Sequence, residues 1–167
     1  PGKSPTILSF KQPEFTTTLT AAMSIKDSDA RRCGIAAYYN NDYHYEIYIG
    51  NDDNGKYIGF YKHIHDMGAE LAHIPVSRED YNLHLLVRID TDREGYTFSY
   101  AIADTVNPGA RIAYEKIGSG LNAGLSTEGT RTMTFTGTLF SLFAENGHGV
   151  FENGVSLAIN PDENYTL

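Results

Sequence analysis

Residues 83–102 read Leu83-His84-Leu85-Leu86-Val87-Arg88-Ile89-Asp90, then Thr91-Asp92-Arg93-Glu94-Gly95, then Tyr96-Thr97-Phe98-Ser99-Tyr100-Ala101-Ile102. Leu83, Leu85, Val87 and Ile89 recur at every second position, and His84, Leu86, Arg88 and Asp90 fill the positions between them. Side chains of a strand point alternately to opposite faces, so this period sets an apolar face against a polar one. After the turn, Tyr96, Phe98, Tyr100 and Ile102 alternate with Thr97, Ser99 and Ala101 in the same way. Two such runs across a short polar turn predict an antiparallel hairpin. Its apolar face has to be covered by a second layer.

The same signals continue in both directions. Phe15 to Ile25 and Cys33 to Tyr39 are β-rich runs. Asn40-Asn41-Asp42 predicts a turn, with Tyr43 to Ile49 as the returning strand. Gly50 to Gly55 is a second turn cluster, and Lys56 to His65 returns from it. Phe135 to Ala144, a turn over Glu145 to Gly149, and Val150 to Ile159 close the chain. From Asp104 to Glu128, Pro108 and scattered glycines predict long connections around one short strand near Ile112 to Ile117. No window of about a dozen residues carries a helical period. The expectation is an all-β fold, a two-sheet antiparallel β-sandwich, with residues 1–167 as a single domain.

Bulk properties narrow the function classes. The 167 residues are 41% hydrophobic, enough for a core, and 12 Tyr with 8 Phe suit strands. The net charge of −8 disfavours phosphate backbones and anionic membranes, so neither nucleic acid nor a membrane is an expected partner. No apolar run approaches the ~20 residues of a spanning helix. The single cysteine, Cys33, allows no internal disulfide and reads as a small buried apolar residue. The opening Pro1-Gly2-Lys3-Ser4-Pro5 lacks Met and predicts a processed chain or a piece of a longer one. The compartment stays open: cytoplasm, periplasm and secretion all fit.

Several groupings are candidates for chemistry. His63 and His65, two apart in an expected strand and followed by Asp66, would share a face as metal ligands, with His44 and His73 joining only through the fold. They lack a third and fourth ligand at any recognisable spacing, and polar residues on an open sheet face are the preferred reading. Asp52, Asp53 and Asn54 before Gly55 resemble part of a calcium loop, but no carboxylate follows between Gly59 and Lys62, and an Asx-rich hairpin turn uses the same residues. No cofactor is therefore expected. Tyr38, Tyr39, Tyr43, Tyr45, Tyr48, Tyr57 and Tyr61 are concentrated in one stretch. Alternation sends about half of them inward, leaving the rest for a sugar-stacking surface or a protein contact. Glu46 and Glu70 are strand carboxylates, yet nothing in their spacing marks the acid–base pair of a glycosidase. Nucleophile-elbow and phosphate-loop motifs are absent. No catalytic residue is assigned. His84, Arg88, Thr97 and Ser99 are the polar candidates for a sugar-binding sheet face.

Five segments come in order: Gly34-Ile35-Ala36-Ala37-Tyr38-Tyr39-Asn40, Tyr43-His44-Tyr45-Glu46-Ile47, Gly95-Tyr96-Thr97-Phe98-Ser99-Tyr100, Leu125-Ser126-Thr127-Glu128 and Phe135-Thr136-Gly137-Thr138. With them the chain resembles the C-terminal domain of family 43 glycoside hydrolases, the β-xylosidase and α-L-arabinofuranosidase group. Leu8 to Phe15 is similar to that family's Leu-Gly-Arg-Arg-Gln opening, keeping Leu8 and Gln12. The likeness runs from about Leu8 to Phe151. Two features depart from the family: Lys11 alone remains of the Arg-Arg pair, and Phe151 to Ile159 lacks the usual terminal aromatics.

This resemblance implies a concanavalin-A-like jelly roll. It implies that catalysis belongs to a separate N-terminal five-bladed propeller, on which the sandwich packs as an accessory, non-catalytic domain. The substrates implied are xylan- or arabinan-derived oligosaccharides. It also implies that a loop, here Gly129 to Phe135, reaches the active-site mouth, with Phe135 as the pocket-lining aromatic and Met133 as second choice. Two alternatives stand beside it: an autonomous carbohydrate-binding module, and a structural or homo-oligomerisation domain.

Overall fold

The computed structural model describes residues 6–12, 16–104, 106, 111–121 and 138–159, with only the backbone over 153–159. Eleven strands account for most of them: β1 (Thr6–Lys11), β2 (Thr17–Ser24), β3 (Arg32–Asn40), β4 (Tyr43–Asp52), β5 (Gly55–Ile64), β6 (Met67–Pro75), β7 (His84–Thr91), β8 (Gly95–Ala103), β9 (Glu115–Leu121), β10 (Leu139–Glu145) and β11 (Phe151–Ile159). One 3₁₀ turn, Arg78–Asp80, joins β6 to β7. The strands form two antiparallel sheets, ordered β1-β10-β3-β4-β5-β6 and β11-β2-β7-β8-β9. This is the expected two-sheet sandwich.

The core lies where the alternation puts it. Cys33, Ile35 and Ala37 of β3, Tyr45, Ile47 and Ile49 of β4, and Ile58 and Phe60 of β5 face Leu19, Ala21 and Met23 of β2, Leu85, Val87 and Ile89 of β7, and Tyr96 and Phe98 of β8. Phe60 and Phe98 meet across the layers with ring centroids 5.0 Å apart, and Tyr45 stands edge-on to Phe98 at 6.3 Å. Burying each such ring is worth about 1.5–3 kcal/mol. Gly118 and Gly120 of β9 lie directly against Phe60 and Tyr45, where a Cβ would overlap the rings. Those two glycines let the sheets close at that end.

The hairpins β3–β4, β4–β5 and β7–β8 fall where the turn residues predict them. Elsewhere the structure differs from expectation. β6 follows a tight turn after β5, so His65 lies in that turn with φ 59° and shares no strand face with His63. β6 pairs with β5 along one edge only among the described strands, and Met67 and Leu71 are largely exposed. Such a strand shows no alternation to read. The short strand near Ile112 to Ile117 is instead Glu115–Leu121, because Ile112 leaves the sheet to pack with Tyr114 and Val106 over Ala22, Leu86 and Ala101. Phe135 and Met133 lie outside the described residues.

Candidate functional site

The outer face of the six-stranded sheet carries a groove, and its origin is a lane of small residues on β3. Gly34 and Ala36 point outward there, between larger side chains of β10 and β4. Across Ala36 stand Ser141 on one side and Glu46 on the other. Across Gly34 stand Phe143 and Tyr48, whose rings close edge-to-face at 6.4 Å. The result is a cavity of about 240 Å³ with Ala36 and Phe143 as apolar lining and Arg32, Tyr38, His44 and Glu46 as polar lining. Ile7 of β1 adds to its apolar lining, and Asn41, Ser141 and Glu145 to its polar lining.

Arg32 is the electrostatic centre. Its Nε and Nη2 donate to Glu145 Oε2 at 3.0 and 2.8 Å, and Nη1 lies 3.4 Å from Glu46 Oε2. The guanidinium also sits 5.3 Å from the Tyr48 ring centre and 5.0 Å from that of Tyr61. Burial works against its charge, but the Glu46 and Glu145 carboxylates outweigh burial and hold its pKa above the ordinary arginine value. His44 places Nε2 3.1 Å from Glu46 Oε1 and Nδ1 3.2 Å from the Asn40 carbonyl oxygen. Its ring stacks on His63 at 5.3 Å. The Tyr38 hydroxyl donates to Asn41 Oδ1 at 2.6 Å, and burial raises its pKa.

A second cluster continues along β4, β5 and β6. The Tyr48 hydroxyl donates to Glu70, and burial together with that carboxylate pushes its pKa up. Glu70 Oε1 lies 2.6 Å from His73 Nδ1, and the His73 ring stacks on Tyr57 at 3.7 Å. Alternation thus sends Tyr38, Tyr48, Tyr57 and Tyr61 to the outer face, and Tyr45 into the core.

The other sequence candidates are placed as follows. His84, Arg88, Thr97 and Ser99 share the outer face of the five-stranded sheet, in register across β7 and β8. Arg88 Nε and Nη2 are engaged by Asp90 at 2.7 and 2.9 Å, its guanidinium covers Tyr114 at 5.3 Å, and His84 lies against Glu152. Asp52 Oδ1 accepts the Asn54 amide at 2.8 Å in an Asx turn. Among the described residues no group of three or more His, Cys, Asp or Glu is arranged to hold a metal ion. His63 and His65, expected as a pair, are separated by the turn, and His63 joins His44 instead. Cys33 is buried, and burial pushes its thiol up to about 11. Arg32 and Glu145, 113 positions apart, escaped the sequence reading, because only pairing of β3 with β10 brings them together.

Solved structures share this architecture. A xylan β-1,4-xylosidase from Bacillus halodurans superposes with a TM-score of 0.66 at 15% identity, covering 86% of this chain and 27% of its own. A family 43 protein of a Bacteroides ovatus xyloglucan locus gives 0.65 at 15% identity, covering 92% of this chain and 29% of its own. A family 43 protein from a capybara gut metagenome gives 0.63 at 19% identity, covering 83% and 26%. At these identities the likeness establishes the fold alone, and the chain spans little more than a quarter of each. No curated protein matches the chain. A family model described as the β-xylosidase C-terminal concanavalin-A-like domain matches residues 2–154. The chain belongs to that family, the concanavalin-A-like C-terminal domain of β-xylosidases of glycoside hydrolase family 43.

Proposed function

We propose that this chain is the accessory, non-catalytic domain of a glycoside hydrolase that acts on xylan- or arabinan-derived oligosaccharides. It packs on an N-terminal catalytic propeller and shapes the mouth of its active site. The family match over residues 2–154 carries this reading. The small share of each similar structure that the chain covers supports it, because that leaves room for a catalytic domain in the same polypeptide. Hydrolysis of a glycosidic bond needs two carboxylates set about the scissile oxygen, and these are assigned to the propeller. The part assigned to this chain is the loop from Gly129 to Phe135, with Phe135, and secondarily Met133, limiting the depth of the pocket.

The test is reconstitution. The 167-residue chain alone should leave nitrophenyl xyloside and nitrophenyl arabinofuranoside intact. Joined to its catalytic domain, it should restore activity or stability that the catalytic domain lacks by itself. Phe135→Ala in the joined enzyme should raise KM more than it lowers kcat. Turnover by the chain alone, or a catalytic domain indifferent to it, would overturn the reading.

A further inference from the structure

We infer that the groove over Ala36, on the outer face of the six-stranded sheet, is a binding site for one unit of a neutral saccharide. This goes beyond the accessory role and does not depend on it, since the domain can shape a neighbouring active site whether or not its own sheet face holds sugar.

Glu46 has an incomplete hydrogen-bond set. Glu46 is only 9% exposed, and its Oε2 is buried with no hydrogen-bond partner among the described residues. Its other oxygen faces His44 Nε2, and Arg32 lies 3.4 Å from Oε2 as an ion pair without hydrogen-bond geometry. Buried carboxylate oxygens are normally satisfied, and Glu46 is among the residues that line an open cavity. A ligand hydroxyl donating to Oε2 completes it.

The groove also mixes donors and acceptors. Within one cavity stand a carboxylate acceptor (Glu46), a cationic donor (Arg32), an imidazole (His44) and a phenol (Tyr38). Only a ligand whose groups both donate and accept answers all of them, and a polyol does so. Ile7, which is exposed, together with Ala36 and Phe143, supplies the apolar surface against which the C–H face of a sugar ring rests. The cavity of about 240 Å³ falls below the roughly 300–1,000 Å³ of sites for larger ligands, which fits a monosaccharide unit.

Charge selects among such ligands. Arg32 is already held between Glu46 and Glu145, and the chain is acidic overall. An anionic ligand such as a uronic acid or a phosphate would meet two carboxylates around a neutralised guanidinium. The neutral class is therefore the one selected.

The experiment is a titration of the isotopically labelled chain with xylobiose, α-1,5-arabinobiose and glucuronic acid, followed by amide chemical shifts. At least one neutral disaccharide should bind in the millimolar range or tighter, moving amides of β3, β4 and β10 around Ala36. Glucuronic acid should not. Glu46→Gln, which keeps the shape and removes the charge, should weaken binding about tenfold. Ala36→Leu, which fills the cavity floor and keeps every charged residue of the site, should abolish it. Arg88→Ala, on the opposite outer face, should leave it unchanged. Folding of each variant is read from the same spectra. No response to either neutral sugar, a response centred on His84 and Arg88, equal binding of glucuronic acid, or unchanged affinity in folded Glu46→Gln would each overturn the assignment.

Discussion

Arg32 on β3 turns both Nε and Nη2 onto a single oxygen of Glu145 on β10, its direct cross-strand partner, at 3.0 and 2.8 Å. The remaining nitrogen faces Glu46 on the other neighbouring strand, β4. One guanidinium therefore ties three strands whose residues are far apart in the chain. All three side chains are mostly withdrawn from water, at 23%, 19% and 12% exposed.

Removing that guanidinium leaves two carboxylates facing each other. Arg32→Met should destabilise the fold by about 2–3 kcal/mol, below the cost for a fully buried pair because some solvent screens the site. Urea unfolding measures the loss. Adding Glu46→Gln and Glu145→Gln should return most of it, since no unpaired charge then remains.

Gly59 is paired directly with Tyr48, and a Cβ there would overlap the Tyr48 ring. That ring is wedged edge-on against Tyr57 and Phe143 and donates its hydroxyl to Glu70, so it has little room to yield. Gly59→Ala should cost about 1–3 kcal/mol as an overpacking change. A lowered thermal midpoint with an unchanged strand signature in circular dichroism is the expected outcome.

Core and edge should respond differently. Phe98→Ala removes a fully buried ring that touches both Phe60 and Tyr45 and should cost about 3–5 kcal/mol. Met67→Ser, at a side chain 72% exposed on the edge strand β6, should stay within about 0.5 kcal/mol. Parallel chemical denaturation of the two variants compares them.

Burial pushes the hydroxyls of Tyr45 and Tyr96 up to about 12. In the unfolded chain a tyrosine titrates near ~10. Below that value both are neutral in both states and their contribution is complete. As pH rises from about 10 towards 12, only the unfolded chain loses these protons, so stability falls by about 2–3 kcal/mol per residue. Tyrosinate absorbance should accordingly lag for these two residues and then appear together with unfolding.

Cys33 follows the same sign. Its thiol is held near 11 by burial, so the reactive thiolate is scarce in the folded state at pH 8. Iodoacetamide should label the native protein slowly and the urea-unfolded protein readily. Equal rates would show that the thiol is open to solvent.

Much of this fold was legible because its signals are local. The β7–β8 hairpin follows from alternation on either side of Thr91 to Gly95, and β4–β5 from the turn cluster Gly50 to Gly55, although β4 runs on to Asp52. The family likeness came from short motifs in order, and the match over residues 2–154 agrees with it. β6 was not legible. An edge strand with one neighbour and little burial has no reason to alternate. Likewise, spacing puts His63 and His65 on one strand face, but the turn at His65 separates them.

By itself, then, the sequence determined the strand class, the hairpins β3–β4, β4–β5 and β7–β8, that about half of the tyrosines turn inward, and the family, because each depends on residues near one another in the chain. Only the tertiary structure decided that β10 inserts between β1 and β3. That placement sets Glu145 beside Arg32 and Ser141 beside Ala36. Register across strands separated by a hundred residues is fixed by the packing of whole sheets, which no local periodicity encodes. The groove over Ala36 exists only through that register, and the four residues of the β7–β8 face singled out by alternation alone lie on the opposite sheet.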